Sequence, residues 1–304
     1  MPTRRQFIRR CLYRTCALSM AGMVPRLILS DALAAEAGDS VLAVRKGSDI
    51  PALVRQTIDA LGGMTSFVTP GETVVVKPNI GWDRSVEFAA NTHPLVVKTV
   101  VQLCLEAGAK RVQVFDRTCN DPRRCYVSSG IQQTLDALDD KRVEMSHMDR
   151  RAYRDFDIEG GQALERWSFY LPAIEADKLI NLPIAKHHSI STLTLGMKNM
   201  MGVIGGNRGI LHRKIAQSLA DINAVVHSDL TLIDATRILV ENGPQGGRLE
   251  DVEVRNTLIA SPQIATADAF AATLFGYQPG EIETIVAGHE RGLGEINLSK
   301  VRQV

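Results

Sequence analysis

Thr73-Val74-Val75-Val76-Lys77-Pro78-Asn79 is an unbroken β-branched run closed by a lysine and a proline. A run of this kind, unlike an alternating one, marks a strand buried on both faces, and such strands occur in parallel sheets covered by helices on each side. Proline cannot donate to a β-ladder. The polar triplet Lys77-Pro78-Asn79 therefore falls at the strand's carboxyl end.

Working outward, the same alternation continues. Val41 to Val44 predicts a short strand, and Ile50 to Leu61 has helical periodicity ending at Gly62-Gly63. His93 to Ala107 predicts a helix, with Pro94 in its first turn and Gly108 at its end. Arg111 to Phe115 predicts a strand, Ser128 to Leu138 a helix and Val143 to Ser146 a strand, followed by a polar, irregular excursion over 147–170. Lys178 to Leu182 predicts a strand, Ser191 to Val203 a partly helical segment and His212 to Val226 an amphipathic helix. Strands follow at Leu230 to Ile233, ending at Asp234, and at Thr257 to Ala260, then a helix over Ala265 to Phe275. Strands alternating with helices of this length indicate βαβ units. The expected fold is α/β, with a mainly parallel sheet, helices on both faces and an active rim at the strand carboxyl ends.

The amino terminus carries a different signal. Arg4-Arg5-Gln6-Phe7-Ile8 precedes a modest apolar run, Cys16 to Val24, and then the small residues Ala32-Leu33-Ala34-Ala35. A charged start, an apolar middle and a small-residue end define a secretory leader, and paired arginines select the twin-arginine route. Residues 1–34 are read as that signal peptide and 35–304 as a single α/β domain. The expected location is periplasmic or otherwise exported, with the twin-arginine translocase as a transient partner. The apolar run is short of the roughly 20 residues a spanning helix needs, and the mature chain has no second candidate for a span. Removing the leader's six arginines and one acid leaves 29 basic against 33 acidic residues, a net charge of −4. An acidic balance argues against a nucleic-acid partner.

Five cysteines are present, and Cys11 and Cys16 lie in the leader. A cluster held by cysteine alone takes four thiolates, so with Cys104, Cys119 and Cys125 this chain cannot build such an iron–sulfur cluster by itself. Cys119 and Cys125 could pair as a disulfide or stand as two free thiols.

In open α/β sheets, ligands sit beyond the strand carboxyl ends. Lys77 and Asn79 follow one strand, Asp116 another, Lys186-His187-His188 a third and Asp234 a fourth; Lys198-Asn199 and His212 come after the histidines. Each has a plain structural use as a cap, a turn residue or a solvent-reaching charge. Together they would converge on one rim of a parallel sheet. His188, Lys198 and His212 are the candidate catalytic residues: His188 as ligand or base, Lys198 as nucleophile or anion anchor, His212 as second base. Lys77, Asn79, Asp116, Lys186, Asn199 and Asp234 are the candidate cofactor- or ligand-binding residues. His187, His188 and His212 are the candidate metal ligands, although adjacent side chains on an extended segment face opposite ways. Asp268 is read as a helix cap, and Gly202 to Gly209 as a flexible, anion-friendly loop.

At these residues the chain resembles the domain of unknown function family numbered 362. The resemblance rests on Val74 to Asn79, His93-Pro94-Leu95-Val96, Glu106-Ala107-Gly108-Ala109 and Ala176 to Pro183, then on Lys186-His187-His188 and Met197 to Gly202. Asp234, Glu241-Asn242-Gly243-Pro244 and Ala267-Asp268-Ala269 complete it. Some members add a ferredoxin-like cluster domain whose cysteines are absent here. The strand–His–helix–Lys layout is also similar to the amino-terminal domain of the nickel-pincer lactate racemases. There a lysine ten residues after a histidine carries the pincer cofactor, as Lys198 follows His188. The racemase glycine-rich stretch is replaced by Ser189 to Gly196, and Asp116-Arg117-Thr118 stand where that family has an earlier histidine. This second likeness implies a shared scaffold more than a shared reaction.

The resulting expectation is an exported protein that binds a metal or an anionic small-molecule cofactor or substrate at a His/Lys rim. It could be an enzyme of proton or hydride transfer next to a carboxylate. The alternative is a non-catalytic cofactor or metal carrier, or a maturation protein, for an exported partner.

Overall fold

A computed structural model describes residues 40–304; the predicted leader lies outside the described residues. The main sheet runs β12-β1-β11-β10-β7-β2-β3-β4, with β8 and β9 attached beside β10. Its strands are β1 (Val41–Lys46), β2 (Thr73–Pro78), β3 (Arg111–Val114), β4 (Val143–Met145), β7 (Lys178–Leu182), β8 (Ile184–His188), β9 (Thr192–Thr194), β10 (Leu230–Leu239), β11 (Val252–Ser261) and β12 (Arg302–Gln303). The block β10-β7-β2-β3-β4 is parallel throughout, while β11 and β9 run antiparallel to their neighbours.

The valine run occupies the middle of that block. Val74 and Val76 pack into one layer with α1 (Ile50–Asp59), α2 (Pro94–Glu106), α3 (Pro122–Ser128) and α4 (Ile131–Asp136). Val75 faces the other layer, built on α5 (Leu171–Glu175), α6 (Gly196–Asn199) and α7 (Ile215–Val225). A third apolar cluster joins β10 and β11 to α8 (Ile264–Thr273) and α9 (Glu283–Glu290). The period-two alternation of the strand sends Lys77 into the same layer as Val75. A charged side chain thereby enters the helical layer that carries α6.

Local chemistry sets the helix ends. Asp49 accepts from Ala52 N at 3.0 Å to open α1, and His93 Nδ1 accepts from Leu95 N at 3.1 Å to open α2, each with proline in the first turn. Gly108 (φ +93) ends α2 against Pro70, where an added Cβ would sit 3.0–3.1 Å from the proline.

The structure corrects several expected boundaries. Residues 184–188, expected only to follow the strand ending at Leu182, form a strand of their own, β8. Pro183 interrupts β7, and the chain resumes alongside the second half of β10, with Asp234 N donating to Pro183 O at 2.8 Å. β10 does not end at Asp234 but runs to Leu239, because β8 and β11 flank its second half. The excursion over 147–170 contains an antiparallel pair, β5 (Tyr153–Asp157) with β6 (Arg166–Tyr170). His212 lies in a 3₁₀ turn, Arg208–Lys214, ahead of α7. Residues 191–203 hold β9, the single-turn α6 and a 3₁₀ turn. The described residues contain no helix long and apolar enough to cross a membrane.

The β5–β6 loop is fastened to α7 by a buried carboxylate. Asp221 accepts from the backbone N–H groups of Gln162, Ala163 and Leu164 at 2.8–3.1 Å. Asp221→Ala leaves those donors without their acceptor and is expected to lower unfolding free energy by about 2 kcal/mol, measured by denaturant titration.

Candidate functional site

A cleft of about 390 Å³ opens beyond the carboxyl ends of β2 and β3, between β8–β9, α6 and the 202–212 segment. Its floor is a connected polar network. Lys77 Nζ lies 2.7 Å from Asp116 Oδ1 and donates to Pro78 O (2.8 Å) and Asn199 Oδ1 (3.0 Å). Asn199 Oδ1 also accepts from Asn79 Nδ2 at 3.1 Å, and Asn199 Nδ2 donates to Asn181 Oδ1 at 2.8 Å. Asp116 Oδ2 accepts from Ile80 N at 2.7 Å. Burial pushes the Lys77 ammonium below its ordinary value and the Asp116 charge opposes that shift. With all three ammonium directions engaged, Lys77 holds the floor together rather than offering a free clamp.

Gly202 is part of this construction. A Cβ there would lie 1.8 Å from Asp116 Oδ1 and 2.5 Å from Lys77 Nζ, so only glycine lets this backbone close over the ion pair. Asp268, expected to cap its own helix, instead reaches from the interior of α8 to α6. Its two oxygens accept from Gly196 N (2.6 Å) and Met197 N (2.9 Å), which fixes the turn that presents Lys198. Burial raises the Asp268 carboxyl to about 7.

Lys186, on β8, is 1 % exposed. Its Nζ donates to Ala90 O at 2.5 Å and Asn79 Oδ1 at 3.3 Å, both neutral. Burial pushes it down to about 7. Lys198 Nζ lies 3.1 Å from His212 Nε2, and burial brings it down to about 8. His212 Nδ1 lies 3.3 Å from Gly209 O, so Nδ1 carries the proton and Nε2 accepts from Lys198. Burial and the adjacent Lys198 lower the imidazole below its ordinary range.

His188 stacks on His212 with ring centroids 5.6 Å apart. Its Nδ1 accepts from the backbone N–H groups of Ile190 (3.1 Å) and Ser191 (3.3 Å). The neutral ring must then carry its proton on Nε2, and burial followed by the charge on Lys198 pushes it down to about 3. At neutral pH His188 is a hydrogen-bond donor to the cleft, with no lone pair free for a metal or a proton.

The structure thus brings Lys77, Asn79, Asp116, Lys186, His188, Lys198, Asn199 and His212 to one cleft. It does not bring His187 or Asp234. His187 faces the other side of β8 and takes the Gly243 N–H on Nδ1 at 3.2 Å. Asp234 is fully buried within β10, where it accepts from His93 N, Thr236 N and Thr236 Oγ1 at 2.6–3.0 Å. No group of three or more His, Cys, Asp or Glu side chains able to hold a metal exists among the described residues. The donor set does not suit a nickel-pincer group either. The His188 lone pair is taken by backbone N–H groups, and Lys198 points at His212. Cys119 and Cys125 are free thiols.

Arg117 and Arg208 also line the cleft. Arg208 Nη1 donates to Arg117 O (2.8 Å) and Nη2 to Thr118 O (2.9 Å), while Arg117 bonds to the carbonyls of Ile204 (2.8 Å) and Gly206 (3.0 Å). Those bonds convert the glycine loop, expected to be flexible, into a tied segment. Both adjoin residues already singled out, Arg117 next to Asp116 and Arg208 within the glycine loop, and that adjacency is the signal the sequence carries for them. A second depression, of about 340 Å³, lies against Trp82, Arg84 and Arg124, but Arg124 is paired there with Asp83.

With this geometry in hand, the comparisons with known proteins are informative. The family model described as "Domain of unknown function (DUF362)" matches residues 74–273. The chain belongs to this family. It is similar to the "Thylakoid-associated protein sll1697" of Synechocystis sp., at 30 % identity over 250 residues, covering 80 % of this chain and 75 % of that protein. Among solved structures it is similar to a Thermotoga maritima protein (TM-score 0.45, 14 % identity, 77 % of this chain). It is also similar to the lactate racemase apoprotein from Thermoanaerobacterium thermosaccharolyticum (TM-score 0.49, 9 % identity, 77 % of this chain). The aligned part spans 61 % and 56 % of those two chains, under two thirds of either.

Gly202→Ala forces a methyl group into the Lys77–Asp116 pair. Unfolding free energy should fall by about 1–3 kcal/mol or more, read by chemical denaturation; wild-type stability would show that the loop does not close on this pair.

Proposed function

We propose that the protein binds an anionic organic molecule in this cleft, and that the Lys198–His212 pair exchanges a proton with it. The observation that carries this reading is an imbalance of charge. Lys186, Lys198, Arg117 and Arg208 line the cleft, and Asp116, already paired with Lys77, is the one carboxylate among the lining residues described. A buried charge is ordinarily compensated, since its desolvation is worth several kcal/mol. Lys186 has only two neutral oxygens for this purpose. An anion entering the cleft would supply the missing counter-charge.

The proton chemistry follows from the pair's arrangement. Lys198 donates to His212 Nε2 while charged. Once neutral, above about 8, its amine is a base held beside a second nitrogen. A substrate proton next to the bound anionic group would have two positioned acceptors. The metal-dependent reading loses ground because the three histidines do not offer a shared set of lone pairs.

The sign of the pH dependence follows from the same groups. An anion binds best to charged lysines, and these lose their protons as pH rises through about 7 for Lys186 and about 8 for Lys198. Affinity for acetate or inorganic phosphate, titrated by NMR, should therefore be greatest below pH 7 and at least roughly tenfold weaker at pH 9. Lys186→Met should weaken binding at low pH and flatten the profile. Binding indifferent to pH and to this substitution would overturn the reading. For catalysis, deuterium incorporation next to the carboxylate in a panel of 2-hydroxy acids should be lost in Lys198→Ala. No exchange across the panel would remove the catalytic part and leave the binding part.

Export by the twin-arginine route is proposed on the leader sequence. Replacing Arg4 and Arg5 by lysine should retain the protein in the cytoplasm on cell fractionation, and unchanged delivery would remove this proposal.

A further inference from the structure

We infer that the inner end of the cleft is a subsite for a single carboxylate, formed by Lys186, Thr194 and His188. The inference rests on the anion-binding reading and names the chemical class of its ligand.

The three side chains share one face of the β8–β9 hairpin. Lys186 and Thr194 are register partners across the two antiparallel strands, so they stand side by side on the same face. His188 is two residues beyond Lys186 along β8 and therefore points the same way. All three line the cleft.

Each side chain holds one donor that the protein leaves unused. Thr194 is 4 % exposed, and its Oγ1 has no hydrogen-bond partner. A buried hydroxyl without a partner is uncommon in folded proteins, and the residue that carries this one lines the cleft. Lys186 engages two of its three N–H groups with Ala90 O and Asn79 Oδ1, so one remains. His188 gives its Nδ1 to two backbone donors, which leaves Nε2–H directed away from them. The subsite therefore offers three hydrogens and one positive charge.

That inventory discriminates between anions. A carboxylate carries one charge and two oxygens, and three donors with one ammonium satisfy it. A phosphate monoester carries up to two charges on three terminal oxygens, and would leave much of its acceptor capacity desolvated and unmet. Because His188 stacks on His212, a carboxylate seated here would direct the rest of its molecule toward the Lys198–His212 pair at the mouth. The reacting carbon of the proposed proton transfer would then be the one bonded to the carboxylate.

The test uses the full chain, with propionate and inorganic phosphate as probes and the histidine Cε1 proton resonances as readout. Propionate should bind. Thr194→Val, which keeps the volume and removes the hydroxyl, should weaken it about tenfold, the worth of a hydrogen bond to a charged group. Thr194→Ser should restore most of the loss, which a packing effect would not do. Phosphate should bind more weakly than propionate and be insensitive to Thr194→Val. Unchanged propionate affinity in Thr194→Val, or phosphate displacing propionate with the higher affinity, overturns the carboxylate subsite and leaves the anion-binding reading standing. Binding of neither anion overturns that reading itself.

Discussion

The Lys77–Asp116 ion pair is the constraint on which the site depends. Lys77 is delivered by a strand buried at every residue but its first, and Asp116 by the segment after its parallel neighbour β3. Their contact at 2.7 Å ties two strand ends together inside the helical layer. Asn199 and Asn79 extend the tie to α6, and Gly202 closes over it. A buried pair of this kind contributes little to stability on balance, because desolvation offsets most of the attraction. Its contribution here is register: five elements are held in one arrangement, since any other would leave a buried charge alone.

Above that neutralised floor the charge is uneven. Three of the lining cations are satisfied by carbonyl oxygens and amides, which orient them without neutralising them. Carbonyl oxygens fix where Arg117 and Arg208 point, and Asn79 and Ala90 fix Lys186. The chain therefore keeps positive potential in a partly dry space. The neutral histidines add directional donors and acceptors but no further charge.

Much of this was legible in the sequence. The valine run, the capping prolines and the strand–helix alternation gave the α/β class, and the polar residues after Val76, Phe115 and Leu182 pointed to the rim where the cleft opens. Family resemblance was visible in the same segments. What escaped were effects of pairing across the chain. Asp234 looked like a strand-end residue because its own segment gives no sign that β8 and β11 flank the residues after it. His187 and His188 could not be told apart until β8 fixed which face each one took. The histidines read as metal ligands because residue type reveals nothing of lone pairs; those of His187 and His188 are committed to backbone N–H groups and that of His212 to Lys198. Thr194 stayed unnoticed, since one threonine in a Ser/Thr-rich stretch has no signature of its own.

Pro183 has an effect beyond ending β7. By dividing one line of chain into two strands, it separates the residues that hold the scaffold from those that face the cleft. Asn181, before the break, belongs to the shared floor; Lys186, His188 and their partner Thr194, after it, sit on a hairpin fastened chiefly through β10. A change at a cleft-facing position of this hairpin therefore alters the cleft wall without touching the Lys77–Asp116 tie, whereas Ile184, Ala185 and Leu193 on the same hairpin belong to the apolar core.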